Sequence, residues 1–182
     1  MIKRLLLVIL SVPCIPLTIW VGANSWMWIQ VLRYSGDGVI HSALVIPGYT
    51  IAFPRFSASQ PYSASYRFSR VPQRLQSDPI IYLRFDWSRG FADSDEIKKK
   101  VTAKFHFTLL NNEGRSIQSA DLPLSSSIWT GGSDFWGVYQ LDESKLHFRL
   151  GASYVINVSY VPGTVPPPTK ELYFSIEDGG TL

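Results

Sequence analysis

After residue 38 the chain consists of short alternating or apolar segments, and two of them show most clearly the two-residue period of a β-strand. Between residues 80 and 87, Ile81, Leu83 and Phe85 share one face. Between residues 101 and 109, the odd positions are apolar and the even positions are polar. Both patterns are typical of a strand that has one face in a core and the other in water, so they predict half-buried strands.

Segments of this kind recur along the chain, rich in β-branched and aromatic residues and separated by clusters of Pro, Gly, Asn and Asp. They predict an all-β fold in which two antiparallel sheets pack as a sandwich. A turn at 111–114 is expected to form a hairpin, and 93–100 one or two helical turns. The predicted strands span residues 39–46, 49–53, 63–71, 80–87, 101–110, 116–122, 135–141, 154–161 and 172–176.

A short motif within residues 146–160 suggests the type of sandwich. A leucine, the turn glycine Gly151 and Tyr154 precede an alternating strand. This order resembles the tyrosine corner of immunoglobulin-like sandwiches, in which the phenol bonds to the backbone upstream. The resemblance implies an immunoglobulin-like antiparallel β-sandwich. The chain has one cysteine, Cys14, so an intrachain disulfide is excluded and we expect the hydrophobic core alone to hold the domain.

An uncharged apolar run occupies residues 5–32, between the basic residues Lys3 and Arg4 on one side and Arg33 on the other. Its first 19 or so residues, at ~1.5 Å rise each, would suffice to cross a hydrocarbon core, so we predict an N-terminal hydrophobic helix. Positive charge before the run predicts a cytoplasmic N-terminus and transfer of residues 34–182 across the membrane.

Two interpretations of this leader stay open. Cleavage after Ala23, which follows small residues, would make it a signal peptide. Retention would make it an anchor, because apolar residues continue to Leu32 and Trp26 and Trp28 fit an interfacial aromatic belt. Lipidation at Cys14 is disfavoured by the proline that precedes it.

The expected organisation is therefore a signal anchor or signal peptide at 1–33, a linker at 34–38 and a β-sandwich domain at 39–182. We expect a single-pass inner-membrane protein with its domain in the periplasm, or a protein secreted to the periplasm if the leader is cleaved.

Charge argues against a nucleic-acid partner. The formal charge is +3, from 17 basic and 14 acidic residues. Lys3, Arg4 and Arg33 lie at the leader, and 17 minus these three leaves 14 basic residues against 14 acidic ones. The globular part is neutral, whereas a protein that follows phosphates needs a basic face.

The sequence offers no recognisable catalytic or metal-binding motif. His41, His106 and His147 do not stand at metal-ligand spacing from one another, and no serine lies in a nucleophile-elbow motif. A calcium loop beginning at Asp93 is disfavoured because the glycine and terminal glutamate of an EF-hand do not follow at their spacing, and Lys98 to Lys100 would repel a cation. We therefore expect no enzymatic activity, metal or cofactor, and place His106 and His147 at the surface of strands.

Two segments combine aromatic and charged side chains: residues 86–91, at the end of the strand predicted at 80–87, and the predicted loop 130–134 with its flanking aromatic residues. Exposed tryptophan and arginine are favoured at protein interfaces, and flat rings also bind sugars. An alternative is that the tryptophans plug the ends of the core. The predicted partner-binding residues are Arg84, Trp87, Arg89, Trp129, Asp134 and Trp136.

The layout of a leader followed by a sandwich resembles small membrane-anchored or exported β-sandwich proteins of Gram-negative bacteria, some of which are immunity proteins against envelope-directed toxins. The resemblance implies a protein-binding module that acts by steric occlusion. A module that binds glycan or peptidoglycan is the alternative.

Overall fold

A computed structural model describes residues 22, 25–26, 28–42, 49–72, 79–84, 99–126, 148–149, 151–167 and 169–178. The strands in these ranges pair only as antiparallel neighbours in two sheets, which confirms the predicted all-β class and its two-sheet arrangement. The strands are β1 Ser35–Gly36, β2 Val39–Ser42, β3 Tyr49–Ala52, β4 Phe56–Ser57, β5 Tyr62–Ser69, β6 Pro79–Arg84, β7 Lys104–Asn111, β8 Ser116–Pro123, β9 Ser153–Val161 and β10 Glu171–Asp178.

Sheet one has the strand order β1-β5-β9-β7-β8. In sheet two, β10 is central: β3 and β6 pair with the same residues of β10, Ser175 to Glu177, and therefore lie on its opposite sides. Strand β2 pairs with the free side of β3, and β4 pairs with the first residues of β10. The two sheets bury their facing surfaces against each other.

The core consists of the inward positions of both sheets. Leu172, Phe174 and Ile176 of β10 are at most 1% exposed. Phe53 stacks on Phe174 with ring centroids 4.2 Å apart, in one of several aromatic contacts in the core. Burying each such side chain is worth about 1.5–3 kcal/mol, so the alternating pattern is the main source of stability.

Most predicted strands are confirmed, with ends shifted by up to three residues. Two short strands, β1 and β4, were missed because two residues are too few to show a period. The last residues of the strands predicted at 39–46 and 80–87, and the whole of 135–141, lie outside the described residues. Of the helix predicted at 93–100, only residues 99–100 are described, and they are helical.

The predicted hairpin joins β7 to β8. The side-chain oxygen of Asn111 accepts hydrogen bonds from the backbone N–H groups of Glu113 and Arg115, at 3.0 and 2.9 Å. Gly114 has a φ of 76°, a left-handed conformation that glycine adopts without steric cost. The asparagine and the glycine of the predicted turn therefore close it together.

The tyrosine motif has the geometry expected of a corner. The backbone N–H of Arg149 donates to the hydroxyl of Tyr154 at 2.6 Å, which is the predicted bond to the upstream backbone. Gly151, between them, has a φ of 74°. The ring of Tyr154 is buried, so this bond ties the entry of β9 to the core.

Most of the leader lies outside the described residues. Residues 28–33 have helical backbone and precede β1, which lies within the segment 34–38. In the part of the chain that the structure describes, no helix is both long and apolar enough to span a membrane.

Candidate functional site: a groove on the outer face of sheet two

The outer face of sheet two carries polar side chains that are unusually well buried. Alternation along β10 points Ser175 and Glu177 away from the core, yet Ser175 is 0% exposed and Glu177 only 7%. Tyr82, which points outward from the neighbouring strand β6, is 7% exposed. Buried polar groups must be hydrogen-bonded to be tolerated. This face is therefore built around a defined polar network.

An ion pair between Arg84 and Glu177 is the centre of that network. The guanidinium donates from Nε to one carboxylate oxygen at 2.6 Å and from Nη2 to the other at 2.5 Å. Ser175 donates its hydroxyl to the same carboxylate at 2.6 Å and accepts from Arg84 Nε at 3.2 Å. A bidentate ion pair of this kind fixes both side chains in one orientation.

Strand pairing explains how Arg84 reaches Glu177. Arg84 stands opposite Tyr173 in the β6–β10 register, so Ser175 and Glu177 lie two and four residues further along β10. The side chain runs back over Tyr82, and its guanidinium carbon lies 5.2 Å from the centre of that ring. A cation over an aromatic face is stabilised by the ring quadrupole, which holds the guanidinium above the sheet.

A second cation forms the exposed rim. Arg55, just before β4, places its guanidinium carbon 5.3 Å from the centre of the Tyr173 ring. It also contacts Glu171 at 3.5 Å, with the two side chains 53% and 58% exposed. An ion pair this exposed contributes little to stability, so Arg55 can leave Glu171 and contact a ligand at little cost in free energy.

Between the ion pair and the rim lies a groove with a volume of about 390 Å³. We call it the Arg84 groove. Arg55 and Tyr173 can contact a polar or flat group that enters it, while Glu177 retains acceptor capacity beyond the bonds it makes. The groove can thus bind a ligand by hydrogen bonds and ring contact together. Its lining residues are Thr50, Ala52, Phe53, Arg55, Arg84, Tyr173 and Glu177.

Of the six predicted contact residues, the structure describes Arg84. Its side chain is 13% exposed and forms part of the groove wall, where it orients Glu177. The other five, Trp87, Arg89, Trp129, Asp134 and Trp136, lie outside the described residues, and their role stays a prediction.

Of the seven lining residues, only Arg84 was predicted from the sequence. The residues missed include Arg55, Tyr173 and Glu177, which supply the other charged and aromatic groups of the groove. Tyr173 and Ser175 alternate with apolar residues in the strand predicted at 172–176, and Glu177 follows directly after its predicted end. Glu177 nevertheless stands 93 residues from Arg84, and no local spacing links the two. Only the antiparallel pairing of β6 with β10 brings them together.

Sheet one carries a more exposed polar cluster on its own outer face. His106 contacts Asp121 at 2.8 Å through Nδ1 and Thr108 at 3.1 Å through Nε2. The side chains of His106 and Asp121 are 40% and 89% exposed, so His106 lies at the surface of a strand, as expected. Among the described residues, no group of three or more His, Cys, Asp or Glu side chains could hold a metal ion.

Comparison with known proteins leaves the chain without an assigned family. No known protein family matches it, and no curated protein sequence does. Among solved structures, it is similar to Caldicellulosiruptor saccharolyticus CBM27-1 in complex with mannohexaose, with a TM-score of 0.37 and 9% identity over 78% of this chain and 81% of that chain.

Two structures from infectious bursal disease virus are also similar. The VP2 subviral particle gives a TM-score of 0.30 and 9% identity, and the Gx strain structure gives 0.27 and 11%. Each likeness covers 82% of this chain and 34% of the viral chain. TM-scores this low transfer neither a ligand nor a function.

Proposed function

We propose that this chain is an extracytoplasmic binding module that uses the Arg84 groove to hold a protein partner. In this proposal an immunoglobulin-like sandwich follows an N-terminal hydrophobic helix. Residues 5–32 keep the module at the inner membrane with the domain in the periplasm, or the domain is released there if the leader is cleaved.

The observation that carries the proposal is the combination of a rigid wall with an adaptable rim. The buried Arg84–Glu177 pair fixes one wall of the groove. The rim offers Arg55 and Tyr173, and arginine and tyrosine are among the residue types that dominate binding energy at protein interfaces. A side chain of the partner would enter the groove, and the rim would close around it.

Occlusion is the mechanism that this arrangement supports. A partner held in the groove in this way would be blocked sterically, without any chemical step. A toxin that acts on the cell envelope would be neutralised in this way, and the module would then be an immunity protein. The predicted loop residues Trp87, Arg89, Trp129, Asp134 and Trp136 would extend the contact beyond the groove.

The test is recovery of a partner from membranes by cross-linking to the full chain, compared with the Tyr173→Ala and Arg55→Ala variants. We expect one stoichiometric protein with the unaltered chain and affinity lower by about tenfold or more for each variant. Arg115→Ala removes an arginine that is 79% exposed in the turn between β7 and β8 of sheet one, and serves as the control. Recovery of no protein, or equal recovery with all variants, would count against the proposal.

A glycan is the second candidate. It is favoured by the Arg55 guanidinium, which lies over the Tyr173 ring and contacts the Glu171 carboxylate. Vicinal sugar hydroxyls can pair with such groups while a sugar ring contacts the tyrosine. Co-sedimentation with peptidoglycan and binding to immobilised glycans test this candidate. Binding that Tyr173→Ala abolishes and Arg115→Ala preserves would support it, and binding that neither variant changes would oppose it.

A further inference from the structure

The end of the domain that adjoins the leader carries a second groove, separate from the Arg84 groove. It has a volume of about 410 Å³ and lies between the segment before β1 and the turns at residues 70–71 and 151. We call it the leader groove. Six of the residues that line it are Trp26, Ile29, Arg33, Arg70, Val71 and Gly151.

Large apolar side chains of the segment before β1 are exposed. Trp26 and Ile29, which line the groove, are 54% and 41% exposed, and Trp28 and Leu32 of the same segment are 50% and 81% exposed. Several large exposed apolar side chains in one short segment are unusual on a soluble surface and typical of a membrane or partner contact. Tryptophan in particular favours the zone of lipid headgroups, because its ring is apolar and its N–H is polar.

Two cations border the apolar lining. Arg33 and Arg70 are exposed, and no ion pair is described for either of them in the ranges that the structure covers. Val71, which lines the groove beside Arg70, is 1% exposed. An apolar groove with cations at its rim is complementary to a lipid that has an acyl chain and an anionic headgroup.

The backbone at Arg70 supports a functional role. Strand β5 ends at Ser69, and Arg70 has a φ of 56°, in the left-handed region where glycine or asparagine is usual. The left-handed conformation is unfavourable for an arginine, and residues of this kind concentrate at binding sites. Gly151, across the groove, also has a positive φ of 74°.

We propose that the leader groove binds an anionic phospholipid of the membrane surface, with Arg33 and Arg70 at the phosphate and Trp26, Ile29 and Val71 along the first acyl carbons. The occupant follows from charge complementarity and from continuity with the apolar run at 5–32, and it rests on the proposed position of the domain beside the membrane. The domain would then be held against the membrane in a fixed orientation, with or without cleavage of the leader.

The experiment uses the full chain in nanodiscs of phosphatidylcholine mixed with phosphatidylglycerol, in which a photo-reactive phosphatidylglycerol is cross-linked to the protein. Arg33→Gln combined with Arg70→Gly removes both charges, and glycine suits the positive φ at residue 70. Each arginine near an anionic surface is worth roughly fivefold in affinity, so we expect cross-linking to fall roughly 25-fold.

The matched control is Lys104→Gln combined with Lys170→Gln. Both lysines are exposed and lie towards the opposite end of the sandwich, since Lys104 pairs with Val161 while β9 begins at Ser153 beside Ser69. This double variant also loses two charges but should retain cross-linking. Arg70→Lys keeps the charge at residue 70. It should retain most of the cross-linking of the unaltered chain, because the lipid is held by that charge and not by the conformation of the turn.

Three outcomes would overturn the proposal: equal loss in the control, unchanged cross-linking in the arginine variant, or displacement of the lipid by soluble glycerol phosphate, which would indicate a site for free phosphate. Alkaline carbonate extraction of membranes reports separately on the leader. A chain that is absent from membranes contradicts the proposed location, whereas a membrane-bound chain without lipid preference contradicts only the lipid site.

Discussion

The outer faces of the two sheets have similar polar alternation but different environments. On sheet one, His106 and Asp121 form a contact in which the carboxylate is 89% exposed. On sheet two, Arg84 and Glu177 form a contact in which the side chains are only 13% and 9% exposed. A polar strand face is therefore ordinary surface in one sheet and the wall of a groove in the other. Burial, rather than polarity, distinguishes the candidate site.

The largest effect is expected from breaking the buried pair. Arg84→Ala leaves the Glu177 carboxylate buried without its main partner, and such a change typically costs about 3–5 kcal/mol. Urea denaturation of the purified full chain measures it. Glu171→Ala, at the exposed rim of the same face, is the control and should cost less than about 1 kcal/mol. Similar losses in both variants would mean that Arg84 and Glu177 are not effectively buried.

Replacing both members of the pair sharpens the distinction between stability and function. Arg84→Met combined with Glu177→Leu removes both charges together, and apolar replacements of buried pairs are often neutral or stabilising. We expect the double variant to recover most of the stability that Arg84→Ala loses, and yet to lose binding in the groove. A double variant as unstable as the single one would show that the groove cannot accept apolar side chains.

Alkaline pH should weaken the core between the two outer faces. Burial raises the pKa of Tyr34 to about 12 and also raises the pKa values of Tyr66 and Tyr160, where the hydroxyl of Tyr66 bonds to that of Tyr62. In the unfolded chain a tyrosine pKa is about 10, so the unfolded state releases these protons first. The stabilisation is complete below about pH 10 and decreases as the pH rises towards 12.

Urea denaturation at a series of pH values above neutrality measures this loss. Tyr160→Phe keeps the ring and removes the hydroxyl that donates to the Ala58 carbonyl at 2.8 Å. This variant should be less stable near neutral pH and should lose less stability on going to high pH. An identical pH dependence in the two proteins would exclude Tyr160 as a contributor.

The smallest effect is expected on sheet one. A double-mutant cycle of His106→Ala and Asp121→Ala should give a coupling energy of about 0.2–1 kcal/mol, because the pair is exposed and screened by water and salt. High salt should reduce the coupling further. A coupling as large as that of Arg84 with Glu177 would remove the distinction between the two faces.

Sequence reasoning recovered the strands well because alternation is a local property. Every second residue of β7 from Phe105 to Leu109, and of β9 from Tyr154 to Tyr160, is apolar and buried. The turn at 111–114 and the corner at Tyr154 were also predicted, since an asparagine, a glycine or a tyrosine determines the geometry within a few residues. Strands of two residues, β1 and β4, have too few positions to show a period.

The candidate site was predicted only at Arg84. The alternation along β10 shows that Glu177 faces away from the core. It does not indicate that the Glu177 side chain is buried. Its burial and its contact with Arg84 depend on β6 pairing with β10, which joins residues 93 positions apart. The other five predicted contact residues, Trp87, Arg89, Trp129, Asp134 and Trp136, lie outside the described residues, and their role remains a prediction.

The sequence by itself determined the longer strands, the hairpin, the tyrosine corner and the expectation of an apolar leader, because each depends on residues close together in the chain. Only the tertiary structure decided which polar positions form a site. Strand order and register bring Arg84, Ser175 and Glu177 into one network, and the approach of residues 70–71 and 151 to the segment before β1 creates the leader groove. Such contacts depend on the arrangement of whole sheets, and a local pattern cannot specify them.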